Sequence, residues 1–276
     1  MEKQSYHLFI SPHLDDVIFS LTSYIKNLNK PSIIVTLFTQ SNNTLLKTLK
    51  GDYYLYGDYQ TRTSEDYQTI NKLNRTIIVK HLNFPEALFR KTTYNLYSAI
   101  NDPITQKINT LINEYNVKTI YFPLGVGFHP DHTITYNLNQ YYKKKCIIKF
   151  YFDYPYTTMR LAENARLSQL GIFNKLDFND VVLFYRNPIN QSCPIFIRLL
   201  NIIYFLFIIG LNYIFNFFKI PPKYKLDTYQ IDVDKKFIIM KGYTTQIKPI
   251  FGSVSNLYNT LSKYPYEKII EFKDIE

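Results

Sequence analysis

The chain has 276 residues, 46% of them hydrophobic and 20% charged, with 32 Lys and Arg against 22 Asp and Glu for a net charge of +10. So large an apolar share can fill a core and excludes a disordered chain, and two widely separated cysteines in apolar stretches, Cys146 and Cys193, give no support to a disulfide framework or a cysteine zinc knuckle. The basic residues are scattered apart from the triplet Lys143-Lys144-Lys145, and no pattern of a nucleic-acid-binding module is present, so no nucleic-acid partner is expected.

Residues 6–10 are a short apolar run that stops at Ser11-Pro12, and from Asp16 onward Ile18, Leu21 and Ile25 recur at near-helical spacing. This reads as strand, loop and helix. Residues 32–38 are a second strand, continuous in apolar residues as buried parallel strands are. Charge and apolar spacing predict a helix over 62–73, a third strand over 76–82, a helix over 101–115 and a fourth strand over 118–122. A helix over 131–144, closed by the lysine triplet, and a fifth strand over 146–152 complete the series. Strands separated by helices in this way predict an α/β fold, a Rossmann-like doubly wound and mostly parallel sheet whose site lies at the C-terminal strand ends. No glycine-rich phosphate loop follows the first strand, so a dinucleotide or P-loop reading fails.

After residue 156 the alternation weakens into a mixed α/β extension, with a polar helix over 160–170 and a strand-like stretch over 181–185. Residues 199–218 are twenty positions without a charge, long enough to cross a bilayer, but Asn201, Asn212 and Asn216 interrupt them and Pro221-Pro222 ends them. Three readings stay open: a membrane span, a segment dipping into the membrane interface with Lys219, Lys223 and Lys225 at the headgroups, and ordinary core packing. The start of the chain lacks the basic opening and long apolar run of a secretory signal, so the protein is expected in the cytoplasm, with the membrane surface open as an address.

The chemistry concentrates at two strand ends. His13, Asp15 and Asp16 follow the first strand, and His129, Asp131 and His132 follow the fourth, so two loops of a parallel sheet can bring them together. Two imidazoles and a carboxylate, a set that His13, Asp16 and His132 can supply, suit a catalytic zinc with one position left for water. Asp15, adjacent to a ligand, is then the natural general base. With Pro130 in the first turn of a helix, His129 and His132 share a face. One can bind metal while the other, backed by a carboxylate such as Asp131, faces the reacting carbonyl as oxyanion stabiliser or proton donor. His7 and His81 lie inside strands and read as structural.

These residues resemble a family. Ser11-Pro12-His13-Leu14-Asp15-Asp16 and His129-Pro130-Asp131-His132 are similar to the paired signatures of the PIG-L/LmbE-like, zinc-dependent N-acetylglucosaminyl deacetylases, the first of which reads approximately (A/S)-P-H-P-D-D-E. The segments beginning at Arg62 and Asn83, the approach Pro123-Leu124-Gly125, the stretch Asp153-Tyr154-Pro155-Tyr156 and the closing Tyr243-Thr244-Thr245-Gln246 resemble further family segments, so the likeness runs over nearly the whole chain. The resemblance implies His13, Asp16 and His132 as zinc ligands, Asp15 as base, His129 as oxyanion or leaving-amine partner, and Arg62 and Glu86 as holders of sugar hydroxyls. An ion pair of Arg62 with Glu65 or Asp66 is the alternative for that residue. Leu14 and Val17 depart from the usual proline and glutamate and touch neither ligand nor base.

The expected activity is removal of the acetyl group from an N-acetylglucosamine-type conjugate, a sugar or glycolipid, with zinc or, on the same donors, ferrous iron. A metal-dependent amidase on a non-sugar acyl amine and a catalytically silent glycan-binding accessory protein are the rivals. Residues 1–156 are read as the metal-hydrolase core and residues 157–276 as the part completing the same domain, with an apolar helical insertion at about 193–222.

Overall fold

The computed structural model describes residues 4–40, 57–90, 97–172, 195–196, 199–200, 202–204, 206–207, 210 and 224–272. Strands β1 (Tyr6–Ser11), β2 (Ser32–Gln40), β3 (Ile78–Pro85), β4 (Val117–Pro123) and β5 (Ile147–Tyr151) join β6 (Tyr224–Gln230) and β7 (Tyr266–Phe272) in one sheet of order β3-β2-β1-β4-β5-β7-β6. The first five pair in parallel, whereas β7 pairs antiparallel with both β5 and β6. The mostly parallel α/β fold expected from the strand-helix alternation is therefore present.

Both faces of the sheet are covered, which is why its central strands read as unbroken apolar runs. Leu8 and Ile10 of β1, Ile33 and Val35 of β2 and Ile120 and Phe122 of β4 pack on one side against helix α3 (Tyr97–Glu114), α4 (Pro130–Asn137) and α5 (Arg160–Gln169). The alternate residues Phe9, Ile34 and Tyr121 face α1 (Asp16–Asn27), α2 (Tyr59–Leu73), α6 (Val233–Met240), α7 (Thr244–Phe251) and α8 (Val254–Lys263). The C-terminal elements are tied in by charge as well. Glu267 of β7 accepts from the backbone N–H groups of Ser23 and Tyr24, freed where α1 breaks at Leu21, and from Lys236 of α6 at 2.8 Å.

Two expectations need correction or bounding. The helix expected over 131–144 ends at Asn137 and passes into a tight turn over Leu138–Tyr141, where the Asn139 side chain donates to the Tyr136 carbonyl at 2.6 Å and competes with helix continuation. The lysine triplet therefore lies beyond the helix. The strand-like stretch 181–185, Cys193 and most of the apolar segment 199–218 fall outside the described residues. Among the described residues no helix is long and apolar enough to cross a membrane.

Candidate metal centre

The chain leaves β1 toward β2 on one side, and β4 lies on the other, so strand order reverses beside β1. The crevice at such a reversal, beyond the C-terminal strand ends, is where open α/β sheets bind ligands. The loops after β1 and β4 meet there. The His13 ring lies 5.0 Å from that of His129 and 5.3 Å from that of His132, centroid to centroid, and the latter two rings are 5.4 Å apart.

Each ring nitrogen can be traced. His13 turns Nδ1 toward Asp16 Oδ2 at 3.2 Å and Nε2 toward Asp131 Oδ2 at 3.0 Å. His132 turns Nε2 toward the same Asp16 oxygen at 3.2 Å, and its Nδ1 bonds Asp153 Oδ1 at 2.6 Å. Asp153 is immobilised by the backbone N–H groups of Gly125 and Val126, and Asp131 by Ala87 N–H and the Arg90 guanidinium. One Asp16 oxygen thus faces two imidazole nitrogens, while a buried carboxylate backs the far nitrogen of each ring. That is how metal-binding histidines are held in tautomer and orientation.

The residues fit a divalent cation. His132 Nε2 is buried without a hydrogen-bond partner although a carboxylate oxygen stands 3.2 Å away. With Nδ1–H donated to Asp153, the approach of Nε2 to the Asp16 oxygen is favourable only with positive charge between them, carried by a proton on the ring or by a bound cation in its place. Nitrogen and oxygen donors of this kind suit zinc or ferrous iron. His13, His129 and His132 also lie close enough together to be weighed as a three-histidine set, as do His13, Glu86, His129 and Asp131. The helix end argues against His129 in either. As N-cap of α4 it accepts the Asp131 backbone N–H on Nδ1 at 3.3 Å, so its proton sits on Nε2 and makes that atom a donor.

The field of the site follows from these neighbours. Burial opposes the Asp16 anion, but His132 and His13 hold its carboxyl well below the usual carboxylate range. Burial likewise opposes charge on His132, yet Asp16 and Asp153 raise its pKa to about 10, so the surrounding carboxylates favour positive charge at this ring. Burial and the neighbouring Asp16 push Asp15 up to about 6 against the pull of Arg62 and His13, and burial with the adjacent His13 and His132 lowers His129 to about 3. At neutral pH His129 is an uncharged ring.

A cavity of about 300 Å³ opens over this floor. Asp15, Arg62, Glu86 and His129 supply its polar side, and Phe19, Tyr156, Met159, Pro249 and Ile250 its apolar side. Arg62 reaches Asp15 at 3.9 Å and Glu86 at 3.8 Å, and Tyr59 donates to the same Glu86 oxygen. Glu65 and Asp66, the alternative partners for Arg62, are engaged elsewhere: Glu65 holds Thr244 and Thr245, and Asp66 holds His81 and Tyr243. Gly127 lets the wall close over the floor. Its φ is +85°, and a Cβ there would stand 2.4 Å from the Tyr156 ring, which lies edge-on to His132.

All eight residues singled out from the sequence, His13, Asp15, Asp16, Arg62, Glu86, His129, Asp131 and His132, converge here. One pairing differs from expectation. Asp131 was expected to back the histidine that faces the carbonyl, but its carboxylate backs His13, because His129 occupies the helix cap and turns the following side chain toward the other loop. Asp153 and Gln246 were named only within segments that resemble the family and were given no role, and Arg90 and Tyr59 were given none either. The position of Asp153 at the end of β5, a neighbour of β4, is the signal that could have found it.

Residues 8–141 match the family described as PIG-L, GlcNAc-PI de-N-acetylase. No curated protein sequence matches. Among solved structures, the zinc-inhibited form of teicoplanin deacetylase Orf2 is 14% identical with a TM-score of 0.64 over 99% of this chain and 100% of that one. The A40926 pseudoaglycone deacetylase Dbv21 is 17% identical with a TM-score of 0.62 over the whole of both chains. The conserved protein TT1542 from Thermus thermophilus is 12% identical with a TM-score of 0.50 over 98% of this chain and 96% of that one. At these identities the likeness is one of fold.

Proposed function

We propose that this chain, a PIG-L family protein and metal-dependent N-deacetylase by the match over residues 8–141, removes the acetyl group from an N-acetylglucosamine-type sugar conjugate and releases acetate. The observation that carries the reading is the Asp16 carboxylate between His13 and His132, with Asp15 beside it on the cavity surface. His13, Asp16 and His132 would hold zinc, with ferrous iron as the alternative ion. When bound, the cation would polarise the acetamide carbonyl and acidify water near it.

The chain's own residues do the rest. Asp15 caps α1 without making a side-chain capping bond, so its carboxylate is available to take a proton from the attacking water as the new C–O bond forms. The negative charge that develops on the former carbonyl oxygen is met by His129 Nε2–H, a neutral donor held by the helix cap. Asp15 then returns its proton to the amine nitrogen. The C–N bond breaks, the proton left on the new carboxylic acid passes to the amine, and acetate and the protonated amine leave. Arg62 and Glu86, a guanidinium and a carboxylate on the cavity wall, suit adjacent hydroxyls of a sugar ring better than a plain acyl amine.

The C-terminal part from residue 157 belongs on this reading to the same catalytic domain, since β6 and β7 extend the sheet and Pro249 and Ile250 line the cavity. Contact of residues 199–218 with a membrane surface is also part of the reading. Its support is that Ile203 and Phe207, apolar and helical, are 63% and 60% exposed.

Purified protein loaded with zinc is expected to release acetate from N-acetylglucosaminyl conjugates. Asp15→Asn should cut kcat by about 10²- to 10⁴-fold with its zinc retained. Undiminished turnover in that variant would overturn the assignment of the base.

A further inference from the structure

The lysine triplet beyond α4 has no part in the proposed reaction. Two of its members, Lys143 and Lys145, join Lys118 at the start of β4 around a groove of about 420 Å³, which passes Ile147 of β5 and ends at Glu271 and Phe272 of β7. All three lysines are exposed, and their side chains make no ion pair or hydrogen bond among the described residues. The one carboxylate lining the groove, Glu271, is taken by Lys149 at 3.3 Å. Three like charges gathered without a counter-charge repel one another, and anions laid across them relieve that repulsion.

The make-up of the groove narrows the kind of anion. Its cations are lysines, compact charges on flexible stems with no arginine fork among them, which suit a surface of many anions better than one tightly held phosphate. Apolar side chains stand between them: Ile147, 53% exposed, and Phe272 line the same groove. They are out of place against a nucleic-acid backbone, whereas cations beside apolar groups match the boundary of an anionic bilayer. A second feature reaches this end of the sheet. Phe272 pairs with Tyr224, the first residue of β6, so the charge-free residues 199–218 lead through Lys219 and Lys223 to within about 20 Å of the groove. Stable hold on a membrane takes two such signals, an apolar one and a basic one.

We propose that this groove docks on an anionic lipid surface, with Lys118, Lys143 and Lys145 on the headgroup phosphates and Ile147 entering the boundary beside them. This rests in part on the membrane contact read above for residues 199–218. It also sets an orientation. Lys118 stands near the start of β4 and the metal centre lies beyond its end at Pro123, about 17 Å further on at 3.3 Å per residue. A chain held by the groove keeps its cavity clear of the lipid and takes its conjugate from water.

The test is co-sedimentation of the full zinc-loaded chain with vesicles of phosphatidylcholine, alone or with about one third phosphatidylglycerol. Each lysine at such a surface contributes about fivefold to binding. Lys118→Ala, Lys143→Ala and Lys145→Ala together should therefore weaken binding to the phosphatidylglycerol vesicles about 10- to 100-fold. The same change at Lys80, Lys241 and Lys263, exposed lysines outside the groove, should weaken it about twofold or less. Equal losses in the two triple variants overturn the proposal, as does a wild type that binds phosphatidylcholine alone equally well. Release from the vesicles by inorganic phosphate at constant ionic strength would make the groove a site for one small anion, and tighter, groove-dependent binding of a DNA duplex would make it a nucleic-acid site; either overturns it too. Ile203→Ser with Phe207→Ser separates the groove from the segment: binding lost there but kept in the groove variant strikes the groove alone, and the reverse strikes the segment alone. Acetate release from methyl N-acetylglucosaminide should be the same with and without vesicles, and its loss on binding would contradict the orientation. The binding arms need no turnover, so they decide the groove even if no acetate is released.

Discussion

On the floor of the cavity both nitrogens of His13 and both of His132 face carboxylates, at 2.6–3.2 Å, and the outer carboxylates are held in turn by backbone N–H groups or Arg90. Elsewhere on its wall, Phe19, Met159, Pro249 and Ile250 offer apolar surface. The difference separates two tasks. A floor pinned atom by atom by buried charges is rigid and, on the proposed reading, fixes where a cation and a base would stand. A wall built from apolar side chains can be altered without moving that chemistry, so on the proposed reading it is where substrate choice would reside.

Perturbing one region and reading the other breaks or sharpens this contrast. The largest effect is expected at Asp153, whose carboxylate backs His132 and satisfies two backbone N–H groups. Asp153→Ala should weaken zinc binding by about 10- to 100-fold, read by chelator competition. Unchanged affinity would mean that the outer carboxylates do not set the floor. A smaller effect is expected on the wall. Met159 is 48% exposed, so Met159→Ala removes only part of its contact with substrate and should raise KM about two- to fivefold, with kcat and zinc affinity as in the wild type. A fall in kcat instead would show that wall and floor are coupled.

The floor was far more legible in the sequence than the wall, for a physical reason. Buried parallel strands declare themselves as apolar runs such as those of β1 and β2, and the residues that end them, His13 to Asp16 and His129 to His132, are polar where core residues would be apolar. Adjacency in sequence misleads at one point, however. Asp131 lies within two residues of both histidines of its own motif and donates its backbone N–H to His129, yet its carboxylate bonds His13 of the other loop. Asp153 lies 21 residues beyond its partner His132 and is joined to it only by the pairing of β4 with β5. The pairing of Glu65 with Thr245 spans 180 residues, and nothing in local spacing foretells that Gln246 would end at the cavity. The early end of α4 was hidden in a similar way, in a side-chain bond from Asn139 to the Tyr136 carbonyl.

The central claim is that His13, Asp16 and His132 grip the cation while His129, equally close, keeps its proton and serves the substrate. Zinc content per chain, measured after equilibration with a weak chelator, tests it directly in the wild type, His132→Ala and His129→Ala. The account predicts about one zinc in the wild type and in His129→Ala and almost none in His132→Ala. Loss of zinc from His129→Ala as complete as from His132→Ala would contradict it.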